Sequence, residues 1–272
     1  MGRTQAVNQG PPAPAEALAR ARAAVQAAGR IVAVTGAGIS AESGIPTFRG
    51  AGGLWRSFRP EDLATPEAFQ RDPRTVWGWY AWRRGLIAAC VPNPGHDALA
   101  RLALRQGHTT IVTQNVDGLH TRAAEIQAGG GDPTPAIPVE VHGAIDRDLC
   151  SGCGVRSPGS HSIEVSSVET LPRCVVCDAL LRPDVIWFGE ALETRVLSQA
   201  FSMAGQADVC LVAGTSALVH PAASIPLATL EHGGMVVEVN MEDTPLTRHA
   251  AISLRGSAGA LLPALLDADD LP

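Results

Sequence analysis

The sequence contains no lysine. All 21 basic side chains among its 272 residues are arginine. With so much alanine, glycine and proline, this is the composition that a GC-rich bacterial genome produces. No apolar run is long enough to span a bilayer. The N-terminus has no apolar signal-peptide core. A membrane partner is therefore not expected, and the expected location is the cytoplasm. Positive charge is also scarce. The formal net charge is −6, which argues against nucleic acid as a partner. There is no internal repeat. What remains is an ordinary globular composition, 46% hydrophobic, on a chain long enough for one large core or two smaller ones. None of this speaks to the oligomeric state.

Cysteine is sparse but patterned. Cys150 and Cys153 form one Cys-x-x-Cys pair, and Cys174 and Cys177 form a second about 20 residues on, a zinc-ligand spacing. Four thiolates close a tetrahedral site and leave no position for water, so one structural zinc is expected. A disulfide framework does not suit a chain without a secretory signal. A redox dithiol pair is the lesser alternative. Cys90 and Cys210 read as inert buried thiols.

The chain is organised around residues 36–50, GAGISAESGIPTFRG. An apolar strand, Ile31 to Val34, precedes them. Gly36, Gly38 and Ala41 fit a G-x-G-x-x-A turn, where glycine lets the backbone approach a pyrophosphate. Alone this is a weak signal. Ser43-Gly44-Ile45-Pro46 then stops the following helix early. Thr47, Phe48 and Arg49 add a hydroxyl, a ring and a guanidinium beside the loop. An acidic ribose ligand after a second strand is missing, since no strand precedes Glu61-Asp62. The loop suggests NAD, while the early helix stop and the missing acidic ligand argue against simple hydride transfer.

Further strands are expected at Thr109–Val112, Val139–Val141, Val209–Val212, Met235–Val239 and Ala251–Leu254, and the plain reading of Val185–Phe188, beside a role in a substrate cleft, is another core strand. Helices are expected at Glu16–Ala28, Thr75–Ala89, Pro94–Gln106, Thr194–Gly205 and Ala260–Leu266. Polar residues sit at the strand ends: Gln114, Asn115 and Asp117; His142; Gly214, Thr215 and Ser216; Asn240. Ligands of a parallel sheet bind outside the carboxyl ends of its strands. The pattern predicts an α/β protein with a doubly wound parallel sheet. His96 and His120 read as structural histidines. His142 is open to two readings, a buried histidine satisfied by backbone or a general base. Tyr80 and Arg83 lie on one helical face, and a phenol beside a guanidinium suits a carboxylate. Spacing alone favours a plainer reading, with Tyr80 in a wall of tryptophans and Arg83 and Arg84 facing solvent.

The loop GAGISAESGIPTFRG resembles the NAD-binding loop of the sirtuins, the NAD-dependent protein lysine deacylases. The resemblance extends to Thr113-Gln114-Asn115-Val116-Asp117-Gly118-Leu119-His120, to Val141-His142-Gly143, to both Cys-x-x-Cys pairs, to residues 182–190, RPDVIWFGE, and to Gly214-Thr215-Ser216. The motifs follow family order over about residues 30–262. The resemblance implies a Rossmann-like sheet with a helical module at about 50–95 and a zinc module at about 146–181. These lie in one catalytic domain from residue 15, after a disordered tail, 1–14. It implies acyl-lysine proteins or peptides as substrates. His142 is then the catalytic base, with Asn115 and Asp117 orienting ribose and water. NAD is expected against Gly36, Ala37, Gly38, Ser40, Thr47, Phe48, Arg49, Trp55, Gln114, Asn115, Asp117, Gly214, Thr215, Ser216, Asn240, Met241 and Ala258. The substrate is expected against Val185, Ile186, Phe188, Gly189 and Glu190, where a peptide would add main-chain hydrogen bonds.

Tyr80-x-x-Arg83, with Ala64 in Leu63-Ala64-Thr65-Pro66, is similar to the acyl pocket of desuccinylase-type sirtuins. Ala64 would leave room for a longer acyl chain, and Tyr80 and Arg83 would hold its distal carboxylate. A chain without lysine cannot present such a substrate on itself. Rival readings are a plain deacetylase, a mono-ADP-ribosyltransferase on the same NAD site, a non-catalytic NAD-sensing zinc module and, weakest, a dehydrogenase.

Overall fold

Ile31–Thr35, the first strand, is buried along its whole length. Its side chains alternate between two cores, and the rest of the main sheet is laid down on either side of it. The computed structural model describes residues 14–48, 53–105, 107–160 and 162–267. Arg49, the side chain of Trp55 and the expected tail up to residue 13 lie outside the described residues.

The chain opens with α1 (Pro14–Ala27) and β1 (Ile31–Thr35). Three short or aromatic helices follow, α2 (Pro60–Leu63), α3 (Pro66–Arg71) and α4 (Pro73–Ala88), then α5 (Pro94–Arg105), β2 (Thr109–Thr113), α6 (Leu119–Ala128) and β3 (Val139–Glu140). A second group of strands comprises β4 (Gly143–Cys150), β5 (Arg156–Pro158) and β6 (Leu181–Val185). The chain then runs α7 (Thr194–Gly205), β7 (Val209–Ala213), α8 (Ile225–Glu231), β8 (Met235–Asn240), β9 (Ile252–Arg255) and α9 (Ala258–Leu266).

The main sheet has the order β3-β2-β1-β7-β8-β9, and every pair in it is parallel. The chain builds outward from β1 through β2 to β3, then restarts on the other flank with β7. The strand order therefore reverses between β1 and β7, which opens a crevice outside their carboxyl ends. On one face, Ile31, Ala33, Leu211 and Val237 meet the alanine- and leucine-rich sides of α1, α5, α6 and α9. On the other, Val32, Val34, Cys210 and Val212 meet Ala200, Ala204 and Ile225 of α7 and α8. Two-sided burial explains why these strands read as continuous apolar runs in the sequence.

The helix after Gly36 does stop early: it is a 3-10 segment, Ala37–Ser43, ended by Gly44 in the left-handed region (φ +91°). One expectation is corrected. Val185–Phe188 is not a strand of the main sheet. The strand is β6, Leu181–Val185, and it pairs antiparallel with β4 in a separate sheet of order β5-β4-β6. Neither Arg182 nor Pro183 looks like core-strand material, because this sheet carries the zinc-side module and not the main core.

The small module docks on α4. Thr65 caps α3 by accepting from the Ala68 N–H at 3.1 Å, and Asp72 caps α4 by accepting from the Thr75 N–H at 3.1 Å. Trp77 is fully buried and its indole donates to the Leu181 carbonyl at 2.9 Å. Arg84, expected at solvent, instead reaches into the β4–β6 sheet. It donates to the carbonyls of Ile145 (2.6 Å) and Arg147 (3.0 Å) and to Asp148 Oδ1 (2.6 Å). Asp148 is wholly buried and also accepts from the Ser160 amide and hydroxyl. Removing one member of a buried pair leaves the other charge uncompensated. Arg84→Ala is therefore expected to destabilise the protein by about 3–5 kcal/mol, read as a fall in the denaturant midpoint.

Candidate functional site

The crevice at the strand ends holds a cavity of about 830 Å³, within the roughly 300–1,000 Å³ usual for small-molecule and cofactor sites. It runs from the Gly36 loop past Gln114, Asn115 and His142 to α4 and the Val185–Glu190 loop, and back to Gly214–Ser216 and Asn240.

Its floor at β1 and β7 is a close backbone contact. A Cβ on Gly38 would lie 2.7 Å from the Gly214 Cα, and one on Gly214 would lie 2.3 Å from the Ile39 amide nitrogen. Gly214 also has φ +62°, a value glycine adopts without strain. These glycines let the two loops lie back to back. Gln114 Nε2 donates to Thr215 Oγ1 at 3.1 Å, and Asn240 Nδ2 donates to the Thr215 carbonyl at 2.7 Å. The ends of β2, β7 and β8 are thus tied together.

Beneath the floor lies a buried polar cluster. Ser40 donates to Asp117 Oδ2 at 2.8 Å and accepts from Asn115 Nδ2 at 3.1 Å. Asp117 Oδ1 accepts from the Leu119 amide at 3.0 Å. His96 Nδ1 accepts from the Asn93 amide, which leaves its proton on Nε2, 3.3 Å from Ser40 Oγ. Burial pulls the His96 pKa down to about 4 and pushes that of His120 well below the usual histidine value, the neighbouring His96 adding to the effect. Burial raises the Asp117 pKa against its hydrogen bonds.

His142 sits at the cavity wall beyond β3. Its Nδ1 lies 3.0 Å from the Gln114 carbonyl. A carbonyl only accepts, so Nδ1 carries the proton and Nε2 keeps its lone pair. Burial lowers the His142 pKa, partly opposed by that hydrogen bond. The neutral, basic form is the one present at neutrality.

Tyr80 and Arg83 of α4 line the cavity, as does Ala64. Arg83 is only 5% exposed. Its guanidinium lies over the rings of Phe48 (4.7 Å) and Trp79 (4.9 Å), and no ion pair joins it among the described residues. The Tyr80 hydroxyl accepts from the Trp187 indole at 2.9 Å.

Most of the expected site residues therefore meet at one cavity. Ser40, Asp117 and Ala258 do not line it. Ser40 and Asp117 form the layer that holds Asn115, and Ala258 opens α9 against Gly95. The Glu190 carboxylate is already occupied, accepting from Arg182 and from the Trp187 amide at 2.7 Å. Sequence reasoning passed over Trp187, Trp79 and the 242–245 segment, which also line the cavity. Trp187 stands inside a motif whose neighbours were all singled out. Its side chain was legible only as bulk.

Away from the cavity, the four cysteines converge, with all Sγ atoms within 4.8 Å of one another. Cys150 and Cys177 approach to 3.4 Å, and Cys153 and Cys174 to 3.7 Å. Tetrahedral Zn–S bonds of about 2.3 Å require sulfur separations of about 3.8 Å, so the thiol set fits one zinc ion. None of the four lines the cavity, and their closed ligand set suits a structural centre.

Comparison with known proteins agrees. The Sir2 family model matches residues 36–221. The chain belongs to the Sir2 family. It is 50% identical over 238 residues to a protein of Pyrococcus furiosus named NAD-dependent protein deacylase, covering 87% of this chain and 91% of that one. An Aquifex aeolicus protein of the same name is 45% identical, with 87% and 94% covered. Among solved structures, a Sir2 homologue in complex with NAD superposes with a TM-score of 0.80 at 43% identity, covering 92% of each chain. A Sir2 enzyme bound to a myristoylated histone peptide superposes at 0.71 and 29% identity, over 93% of this sirtuin and 96% of that one.

Among the described residues no helix is long and apolar enough to cross a membrane.

The buried histidines carry a stability consequence. His96 titrates lower in the folded protein than in the unfolded chain, so the unfolded chain binds protons first. Stability is expected to fall as pH drops from 6.5 towards about 4. His96→Gln is expected to flatten that slope in chemical denaturation at stepped pH.

Proposed function

We propose that this sirtuin is an NAD-dependent protein-lysine deacylase that removes succinyl and malonyl groups as well as acetyl groups. The products are free lysine, nicotinamide and O-acyl-ADP-ribose. The single observation that carries the acyl preference is Arg83, a guanidinium only 5% exposed, lining the cavity with no ion pair among the described residues. A buried charge is costly unless it is paired, and a carboxylate at the end of an acyl chain is the partner that such a fork takes bidentately. Ala64 beside it leaves length for that chain.

The NAD reading rests on family membership and on the donor set at the cavity floor. The Gly36-Ala37-Gly38 loop, with Thr47 and Phe48 beyond it, would take the phosphates and the nicotinamide ribose. Thr215, Ser216, Asn240 and Met241 would take the adenosine. Arg49 and Trp55 remain candidates for the same ligand. Bound NAD supplies an activated ribose carbon to which the acyl oxygen transfers.

The residues of the chain do the rest. His142 Nε2, basic because Nδ1–H is held by the Gln114 carbonyl, takes a proton from a ribose hydroxyl. Asn115, fixed from below by Ser40 and Asp117, orients the ribose and then a water molecule. The loop from Val185 to Glu190 offers backbone to an extended peptide. The four-cysteine zinc centre supports the module that carries β4 and β6 and takes no part in the chemistry.

The test is a set of otherwise identical peptides carrying acetyl-, succinyl- or malonyl-lysine, followed by peptide mass and nicotinamide release together. Succinyl and malonyl loss faster than acetyl loss is expected, with nicotinamide released in step. Arg83→Met is expected to lower the succinyl-to-acetyl ratio of kcat/KM by about ten- to hundredfold. An unchanged ratio would leave a plain deacetylase. Label retained on the peptide with lysine still acylated would favour ADP-ribosyl transfer.

Proton abstraction by His142 gives a separate expectation. Because its pKa lies below 6.5 in the folded protein, kcat/KM should hold from neutrality down to 6.5 and fall only below that. His142→Ala is expected to cost about 10²–10⁴-fold.

A further inference from the structure

The wall between α4 and the Val185–Glu190 loop contains one hydrogen bond whose direction is fixed by chemistry. Trp187 Nε1 and Tyr80 Oη are 2.9 Å apart and both are buried. An indole nitrogen only donates. The Tyr80 oxygen is therefore the acceptor, and its own hydrogen is not used in this bond. Tyr80 also lines the cavity beside Arg83. With one lone pair held by Trp187, the hydroxyl hydrogen is left for an acceptor on the cavity side.

Trp187 is itself clamped. The Arg182 guanidinium stacks 3.4 Å from the centre of its ring. Glu190 accepts from Arg182 Nη2 at 2.9 Å and from the Trp187 amide at 2.7 Å. The Phe69 ring packs at 5.4 Å on the indole. Arg182 lies on β6, where its neighbour Leu181 pairs with Cys150 of the metal cluster. The indole is thus held from the zinc side of the molecule.

We infer that Trp187 is a positioning residue for acyl specificity: it fixes the Tyr80 hydroxyl as a donor into the acyl pocket, so that Tyr80 and Arg83 together present donors to a carboxylate. The inference rests on the acyl-carboxylate reading above and deepens it. The phenol stays protonated for this task, because burial raises its pKa. An acetyl group offers nothing for that donor to meet. The contribution of Trp187 therefore appears in the comparison between acyl groups.

The test is a double-mutant cycle on the full chain. Trp187→Phe keeps an aromatic ring for Arg182 and Phe69 to pack on but removes the Nε1–H. It is expected to lower the succinyl-to-acetyl ratio of kcat/KM by about tenfold, mainly through KM for the succinyl peptide, the size of one hydrogen bond to a charged group. Tyr80→Phe is expected to lower the ratio by at least as much, and the double variant no further than Tyr80→Phe alone. A ratio that Trp187→Phe leaves at the wild-type value, while Tyr80→Phe and Arg83→Met lower it, would overturn the positioning role and leave the acyl-carboxylate reading standing. Effects that multiply in the double variant would overturn it too. A wild-type protein with no succinyl preference would overturn both.

One measurement does not depend on Trp187→Phe folding. The chain has 5 tryptophans and 1 tyrosine. With ¹⁵N-labelled indoles, one tryptophan signal in particular, that of the side chain bonded to the phenol, is expected to move in Tyr80→Phe. No displaced indole signal would overturn the inference.

Discussion

The hydroxyl of Ser40 is the contact on which the site depends. It joins the loop after β1 to the end of β2 by accepting from Asn115 and donating to Asp117. All of these groups are buried, so each bond must be made or a desolvation cost falls on the fold. His96 of α5 and Asn93 just before it close the cluster. The chain cannot move Asn115 without breaking this set. The cavity floor is therefore rigid before any ligand arrives, and preorganised donors are what a reaction through developing charge requires.

A second set of contacts fixes the opposite wall. Arg84 and Trp77 join α4 to the β4–β6 sheet and Trp187 joins the loop after β6 to α4, each through a donor that meets a backbone or side-chain acceptor. The aromatic side chains supply area and the arginines supply direction. The result places Tyr80 and Arg83 in the lining of the same cavity as the Gly36 loop. The four cysteines bear on this arrangement only indirectly: a zinc ion held by them would tie the end of β4, at Cys150, to the Cys174–Cys177 turn that precedes β6.

The parallel sheet was legible because its strands are buried on both faces and read as apolar runs ending in polar residues. The zinc cluster was legible from spacing, and most of the cavity lining from the family motifs. Val185–Phe188 was misplaced because RPDVIWF contains an apolar run that fits either sheet, and nothing local says which sheet it joins. Arg84 looked like a solvated charge because its partner Asp148 is 64 residues away in sequence. Trp187 was silent for the same reason. Its partner is a single hydroxyl 107 residues distant, and such pairings exist only once the modules have docked. Ser40 and Asp117 were expected to touch the cofactor, whereas the structure puts them one layer behind the cavity lining.

The proposed function requires one cleft to bring the Gly36 loop, His142 and the Tyr80–Arg83 pair to a single acylated lysine. The most direct measurement is a crystal structure of the protein with a succinyl-lysine peptide bound. The succinyl carboxylate is expected within hydrogen-bonding distance of both the Arg83 guanidinium and the Tyr80 hydroxyl. A carboxylate turned to solvent, with Arg83 still buried against Phe48 and Trp79 and no carboxylate beside it, would rule that pocket out.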